Sequence, residues 1–223
     1  MIIFWSMLLV AVSATAQPES PVLIGEHPFD GELAAAEISS TVERGYTPVG
    51  LEVAVDEAIV VLYAQADDDS TPDNWLLHEF ENINTLEDEM NALLDNGWTP
   101  MDLSFSEGRI YALLVDNGPE LSGWRVHTEA LTRTEQVEET ITRFQDEGLS
   151  LWGLSFDADR IWYLFLRETD RESPRSVSIQ SYRNDVGEIQ TGLTEQLNVG
   201  WLPWGLFIED DEAVTVLYTA EVL

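Results

Sequence analysis

The sequence predicts an α+β protein made of four tandem βαββ repeats, antiparallel hairpins with one helix packed per unit. Three observations predict it. One glycine recurs at Gly45, Gly97, Gly148 and Gly200, at spacings of 52, 51 and 52 residues. Apolar residues follow a helical period before each glycine and a period of two after it. The flanking text also repeats, as Gly45-Tyr46-Thr47-Pro48, Gly97-Trp98-Thr99-Pro100, Gly148-Leu149-Ser150-Leu151 and Gly200-Trp201-Leu202-Pro203. The units read as 17–66, 73–117, 122–168 and 175–223, behind a signal peptide at 1–16.

Each unit opens with a strand, near Pro21 to Glu26, Asn74 to Phe80, Gly123 to Glu129 and Ser176 to Tyr182. The helix follows. Its apolar face is Ala34, Ile38 and Val42 in the first copy, and Leu86, Met90, Leu93 and Leu94 in the second. The third copy has Val137, Ile141 and Phe144, and the fourth Ile189, Leu193 and Leu197. Steps of three and four place these on one side of a helix. Asn84-Thr85 and Thr134 supply cap-type residues with acid in the first turn behind them. The repeat glycine stands where a helix ends in a left-handed residue, so its role is mechanical.

After the glycine, positions four, six and eight are apolar in all copies: Val49, Leu51, Val53; Met101, Leu103, Phe105; Trp152, Leu154, Phe156; Trp204, Leu206, Ile208. That is the buried face of a strand. A polar turn leads to a last strand, Ile59 to Tyr63, Ile110 to Leu114, Ile161 to Phe165 or Val214 to Tyr218. It is apolar on both faces and is expected at the centre of its sheet. Polar joints rich in turn residues, such as Ala66 to Asp73 and Asn117 to Ser122, separate the units.

Composition fixes the environment. Of 223 residues, 42 are Asp or Glu and 10 are Arg, with no Lys, for a formal charge of −32. Such a field repels nucleic acid and anionic lipid. Acid spread over every segment reads as adaptation to high salt, where repulsion is screened. The run from Ile2 to Ala16 is too short to span a bilayer and ends in Ala14-Thr15-Ala16. This small-x-small pattern predicts cleavage before Gln17, a secreted or periplasmic protein, and no membrane span in the mature chain. The absence of cysteine excludes disulfides, thiol nucleophiles and thiolate metal sites.

Trp75-Leu76-Leu77-His78-Glu79-Phe80, the acidic Leu-rich helix from Leu86 to Asp95, Asn96-Gly97-Trp98 and Arg109 to Leu114 carry a resemblance. The second unit resembles a bacterial family of short βαββ proteins of unknown function, with a Trp strand, an acidic Leu-rich helix, "Glu-Gly-Trp" and a closing hairpin. Gly45-Tyr46-Thr47-Pro48-Val49 is similar to tandem modules appended to some secreted hydrolases. Copy three departs at Leu149 and copy four at Val177. The resemblance implies a fold and supplies no catalytic residues.

Chemistry is sparse. His27, His78 and His127 fall near the ends of the first strands, and imidazoles from related positions are candidate metal ligands. The turn residues Asp157 and Asp159 are candidates for weak Ca²⁺ binding through carboxylates. No other cofactor is implied. Trp98, Trp201, Trp152 and Trp204 cluster after the repeat glycine and are candidates for stacking on a sugar or seating a peptide. No Gly-x-Ser-x-Gly elbow, phosphate loop or dinucleotide fingerprint occurs. The sequence therefore reads as an exported, non-catalytic binding or structural module whose partner is an extracellular protein or glycan. The alternatives are a secreted hydrolase using carboxylates and a regulator or inhibitor of a protein partner.

Overall fold

The computed structural model describes residues 21–54, 58–65, 72–80, 82–116, 118–130, 135–157, 160–210 and 213–220. The run from Ile2 to Ala16, Thr134 and Asp159 lie outside them.

Every unit has the order strand, helix, strand, strand. The first is β1 (Val22–Pro28), α1 (Gly31–Val42), β2 (Tyr46–Ala54) and β3 (Ala58–Gln65). The second is β4 (Trp75–Phe80), α2 (Leu86–Asp95), β5 (Thr99–Ser106) and β6 (Arg109–Val115). The third is β7 (Leu121–Ala130), α3 (Glu135–Asp146), β8 (Ser150–Asp157) and β9 (Arg160–Glu168). The fourth is β10 (Ser176–Arg183), α4 (Val186–Asn198), β11 (Trp201–Asp210) and β12 (Ala213–Ala220). Each unit forms a three-stranded antiparallel sheet with its last strand in the middle, in the order β1-β3-β2, β4-β6-β5, β7-β9-β8 and β10-β12-β11. The doubly apolar strands are thus the central ones, as their sequence requires.

The helix ends show why the glycine recurs. Gly45, Gly97, Gly148 and Gly200 have φ of 88°, 87°, 80° and 88°, a left-handed turn that a side chain would strain. In unit two, Trp98 N–H donates to Leu93 O and Gly97 N–H to Leu94 O, closing the orphan carbonyls. Unit three repeats this with Leu149 and Gly148. At the N-termini, Asp30 accepts from the amides of Glu32 and Leu33, and Asp185 accepts from Glu188. Thr85 occupies the cap position of α2 but makes no side-chain cap.

The four units close into a ring. β2 packs on β5, β5 on β8, β8 on β11, and β11 on β2. The outer rim closes in the same sense. Trp75 Nε1 on β4 donates to Ser39 Oγ on α1 at 3.2 Å, and Trp124 Nε1 on β7 donates to Asn91 Oδ1 on α2 at 2.8 Å. Gln145 on α3 donates to the carbonyl of Arg175. Ile189 and Leu193 of α4 share a core with Leu23 and Ile24 of β1. Each helix thus lies between its own sheet and the first strand of the next unit.

Three buried clusters hold the ring: one spans units four, one and two, one units two and three, and one units three and four. Full burial of each large apolar side chain contributes about 1.5–3 kcal/mol, so the seams between units carry much of the stability.

Each inner strand carries a bulge at the same place, between Pro48 and Gly50, Pro100 and Asp102, Leu151 and Gly153, and Pro203 and Gly205. The residue after the bulge is Gly50, Asp102, Gly153 or Gly205, and there the strands approach most closely. A Cβ at Gly50 would lie 2.9 Å from Leu206 N and 3.1 Å from the carbonyl carbon of Gly205, both backbone atoms. Gly50→Ala is expected to lower the unfolding free energy in urea by about 1–3 kcal/mol. Gly123→Ala, where a Cβ meets nothing within 4 Å, is the control and should be neutral. Equal stability of the two variants would contradict the close approach of β2 and β11.

Candidate functional site

Ring closure poses an electrostatic question. An inner strand has unpaired amides along the edge turned away from its own sheet, and these need acceptors. The neighbouring units supply them. Asp102, wholly buried, accepts from Leu51 N on β2 through Oδ2 at 2.9 Å and from Leu103 N through Oδ1 at 2.8 Å. The Leu206 amide of β11 also bonds to it. On the remaining side, a Cβ at Gly153 of β8 would run into Oδ1. One carboxylate therefore touches all four inner strands, and the three glycines at equivalent positions leave room for only that one. Burial pushes the Asp102 carboxyl well above the usual carboxylate range, while the amides of Leu51, Leu103 and Leu206 favour its charged form.

Two residues further along, the equivalent positions hold Glu52, Ser104, Ser155 and Phe207. Ser104 Oγ accepts from Val53 N of the preceding unit at 2.9 Å, and Ser155 Oγ accepts from Phe105 N at 2.9 Å. Phe207 instead packs its ring on Phe156, with centroids 4.6 Å apart. Glu52 breaks the pattern. Its Oε2 is buried without a hydrogen-bond partner among the described residues. Burial, then the negative charge of Asp102, raise its pKa well above the ordinary value.

A third constellation fastens unit three to unit four. The Arg175 guanidinium makes a bidentate pair with Glu168, at 2.8 and 2.6 Å, and its amide donates to Ser150 Oγ at 2.8 Å. It lies over Trp152 and Trp204 at 4.7 and 4.9 Å, while the two indoles meet edge to face at 4.9 Å. This carboxylate and these rings meet the buried guanidinium, while its Nη1 has no hydrogen-bond partner among the described residues.

This cluster settles where two of the four candidate tryptophans lie. Trp152 is 0% exposed, so its ring faces the core and Arg175 and not a ligand. Trp204 packs partly buried beside it, Trp98 against the core of units two and three, and Trp201 against that of unit one.

The three imidazoles stay in their own units, each facing its own helix. His27 is 6% exposed, with Nδ1 2.9 Å from Glu37 Oε2 and Nε2 2.8 Å from Tyr63 Oη. Its ring folds back over Gly25, which stands at the position equivalent to His78 and explains its two-residue displacement. His78 lies 3.3 Å from Glu89 of α2, and His127 lies 3.2 Å from Arg143 of α3. Burial, then Arg143, lower the pKa of His127, offset in part by Glu129. They latch helices to sheets, and among the described residues no group of three His, Asp or Glu converges on a metal-sized site. Asp157 ends β8, and Asp159 lies outside the described residues.

Between α1 and β4 runs a groove of about 490 Å³. Ala34, Ala35 and Ile38 form one wall, Trp75 and Leu77 the other, with Glu43 and Asp73 also lining it. Ala34 in its wall stands where the other copies have Leu86, Val137 and Ile189. β4 is paired on one side only, to β6.

No protein-family model matches the chain, and comparison with characterised proteins gives no match.

Asp102, Glu52 and Arg175 were not singled out by reading the sequence, because each looks like one polar residue among many. Writing the four copies one above another shows Gly50, Asp102, Gly153 and Gly205 as a column with one exception. Asp102→Ala leaves three buried amides without acceptors and should cost about 3 kcal/mol, at roughly 1 kcal/mol each. Asp102→Asn keeps one acceptor oxygen and should cost less. Urea unfolding of both variants checks this, and an alanine variant as stable as the parent would contradict the bridging role of the carboxylate.

Proposed function

We propose that this is an exported, non-catalytic module that captures an extended, cationic segment of another protein. The observation that carries the proposal is the groove between α1 and the one-sided strand β4. Its walls are apolar, it runs beside a sheet edge, and Glu43 and Asp73 are part of its lining. A strand laid there pairs its backbone with β4 and seats alternate apolar side chains against Ala34, Ala35 and Trp75. The formal charge of −32 then selects segments flanked by Lys or Arg and speeds their approach. Export follows from the N-terminal run that ends at Ala16, and the acidity from life in high salt. Kinship with the short βαββ family belongs to the same reading.

The test is fluorescence anisotropy at constant salt with two labelled peptides, an apolar core flanked by arginines and the same core flanked by glutamates. The mature chain is expected to prefer the first by at least about tenfold, and Ala35→Trp, which fills the groove, to lose about tenfold in affinity with an unchanged melting midpoint. Equal binding of both peptides, or an Ala35→Trp variant that binds like the parent, would contradict the proposal.

A further inference from the structure

The centre of the ring holds the fully buried carboxylate of Asp102 and, on the neighbouring strand β2, the carboxylate of Glu52, a half-buried residue whose Oε2 is buried. Asp102 is 0% exposed and bonded to amides from three inner strands, and Glu52 lies close enough for their charges to interact. Among the described residues neither carboxylate has an arginine partner, although the buried Glu168 has Arg175. Buried negative charge without a partner is strongly unfavourable. Glu52 is the sharper case, because its Oε2 is buried and accepts from no donor among the described residues. The same layer contains Ser104 and Ser155, whose hydroxyl oxygens each accept one amide bond and retain a second lone pair.

We propose that Glu52, with Asp102 and the hydroxyls of Ser104 and Ser155, binds a single hard cation at the centre of the ring, Ca²⁺ in preference to Na⁺. Four features support this. All the available atoms are oxygens, which suits Ca²⁺ and disfavours softer metals. Two carboxylates match a double positive charge. The ligands come from the three consecutive inner strands β2, β5 and β8, so an ion there ties units one, two and three together. Glu52 and Asp102 are also the one acid each at their repeat positions, where the other copies have Ser104, Ser155 and Phe207, or Gly50, Gly153 and Gly205. This site is independent of the groove at α1.

The experiment is a thermal melt of the full mature chain in choline chloride at fixed ionic strength, titrated with CaCl₂, NaCl or MgCl₂. The variants are Glu52→Gln, which keeps the shape and removes the charge, and Glu87→Gln, an exposed surface control. Ca²⁺ at a hundredfold excess over its dissociation constant is expected to raise the parental midpoint by about 5–10 °C. Glu87→Gln should keep that shift and Glu52→Gln lose it. The same shift in Glu52→Gln would assign the effect to surface carboxylates and overturn the proposal, as would the absence of any Ca²⁺-specific shift in the parent. Native mass spectrometry of the parental chain is the second measurement, in case Glu52→Gln fails to fold. One Ca²⁺ retained per chain after desalting supports the site, and a graded series of adducts contradicts it.

Discussion

The structure depends on how four inner strand edges find hydrogen-bond acceptors once they are turned towards one another. A sheet of three strands has an open edge on each side, and an edge buried without partners would unfold the protein. Here the inner edges are not joined to each other by a ladder. They are capped by side chains from neighbouring units, with Asp102 serving Leu51 and Leu206 as well as Leu103 of its own strand, while Ser104 and Ser155 serve Val53 and Phe105. The bulges make this geometry possible, because each offsets the strand by one residue just before the position that meets the centre.

Divergence between the copies follows from the same constraint. Four aspartates at the position of Asp102 would place four charges within contact of one another, so one copy carries the acid and three carry glycine. Where unit four meets unit three, hydrogen-bond caps are replaced by apolar and cationic contacts, with Phe207 on Phe156 and Arg175 between Trp152 and Trp204. Seven of the ten arginines lie between Arg125 and Arg175, so that stretch is far less negative than the rest of the chain. Unit one departs at Ala34, a small helix residue in the wall of the groove beside β4. Each departure from the repeat marks either a seam or a candidate site.

Much of this architecture is legible in the letters because it is local. Helices, strands, hairpins and the terminating glycine depend on residues within about ten positions of each other, and the periods at Ile38, Met90, Ile141 and Leu193 report buried faces directly. The caps at Asp30 and Asp185 are equally local and were overlooked in favour of Thr85, whose hydroxyl serves Asn82 O instead. Ring closure is not legible, because contact of β11 with β2 links residues about 150 positions apart and leaves no periodic trace. The role of Asp102 is hidden for a related reason: two of its three amide partners, Leu51 and Leu206, lie on other units, and an acidic protein offers no contrast against which one acid stands out. Trp152 misdirects as a stacking platform because an aromatic residue near a glycine looks alike in sequence whether it faces solvent or an arginine in the core.

The central claim, that neighbouring side chains cap the inner edges and so hold the ring closed, is tested most directly by native-state hydrogen exchange. The amides of Leu51, Val53, Phe105 and Leu206 bond to side chains of other units and would exchange quickly if the units were merely adjacent. All four are expected to exchange only through global unfolding, as slowly as the central strands β3 and β6. Exchange of these amides at the rate of the outer strand β7, with β3 and β6 still protected, would show that the units are independent and contradict it.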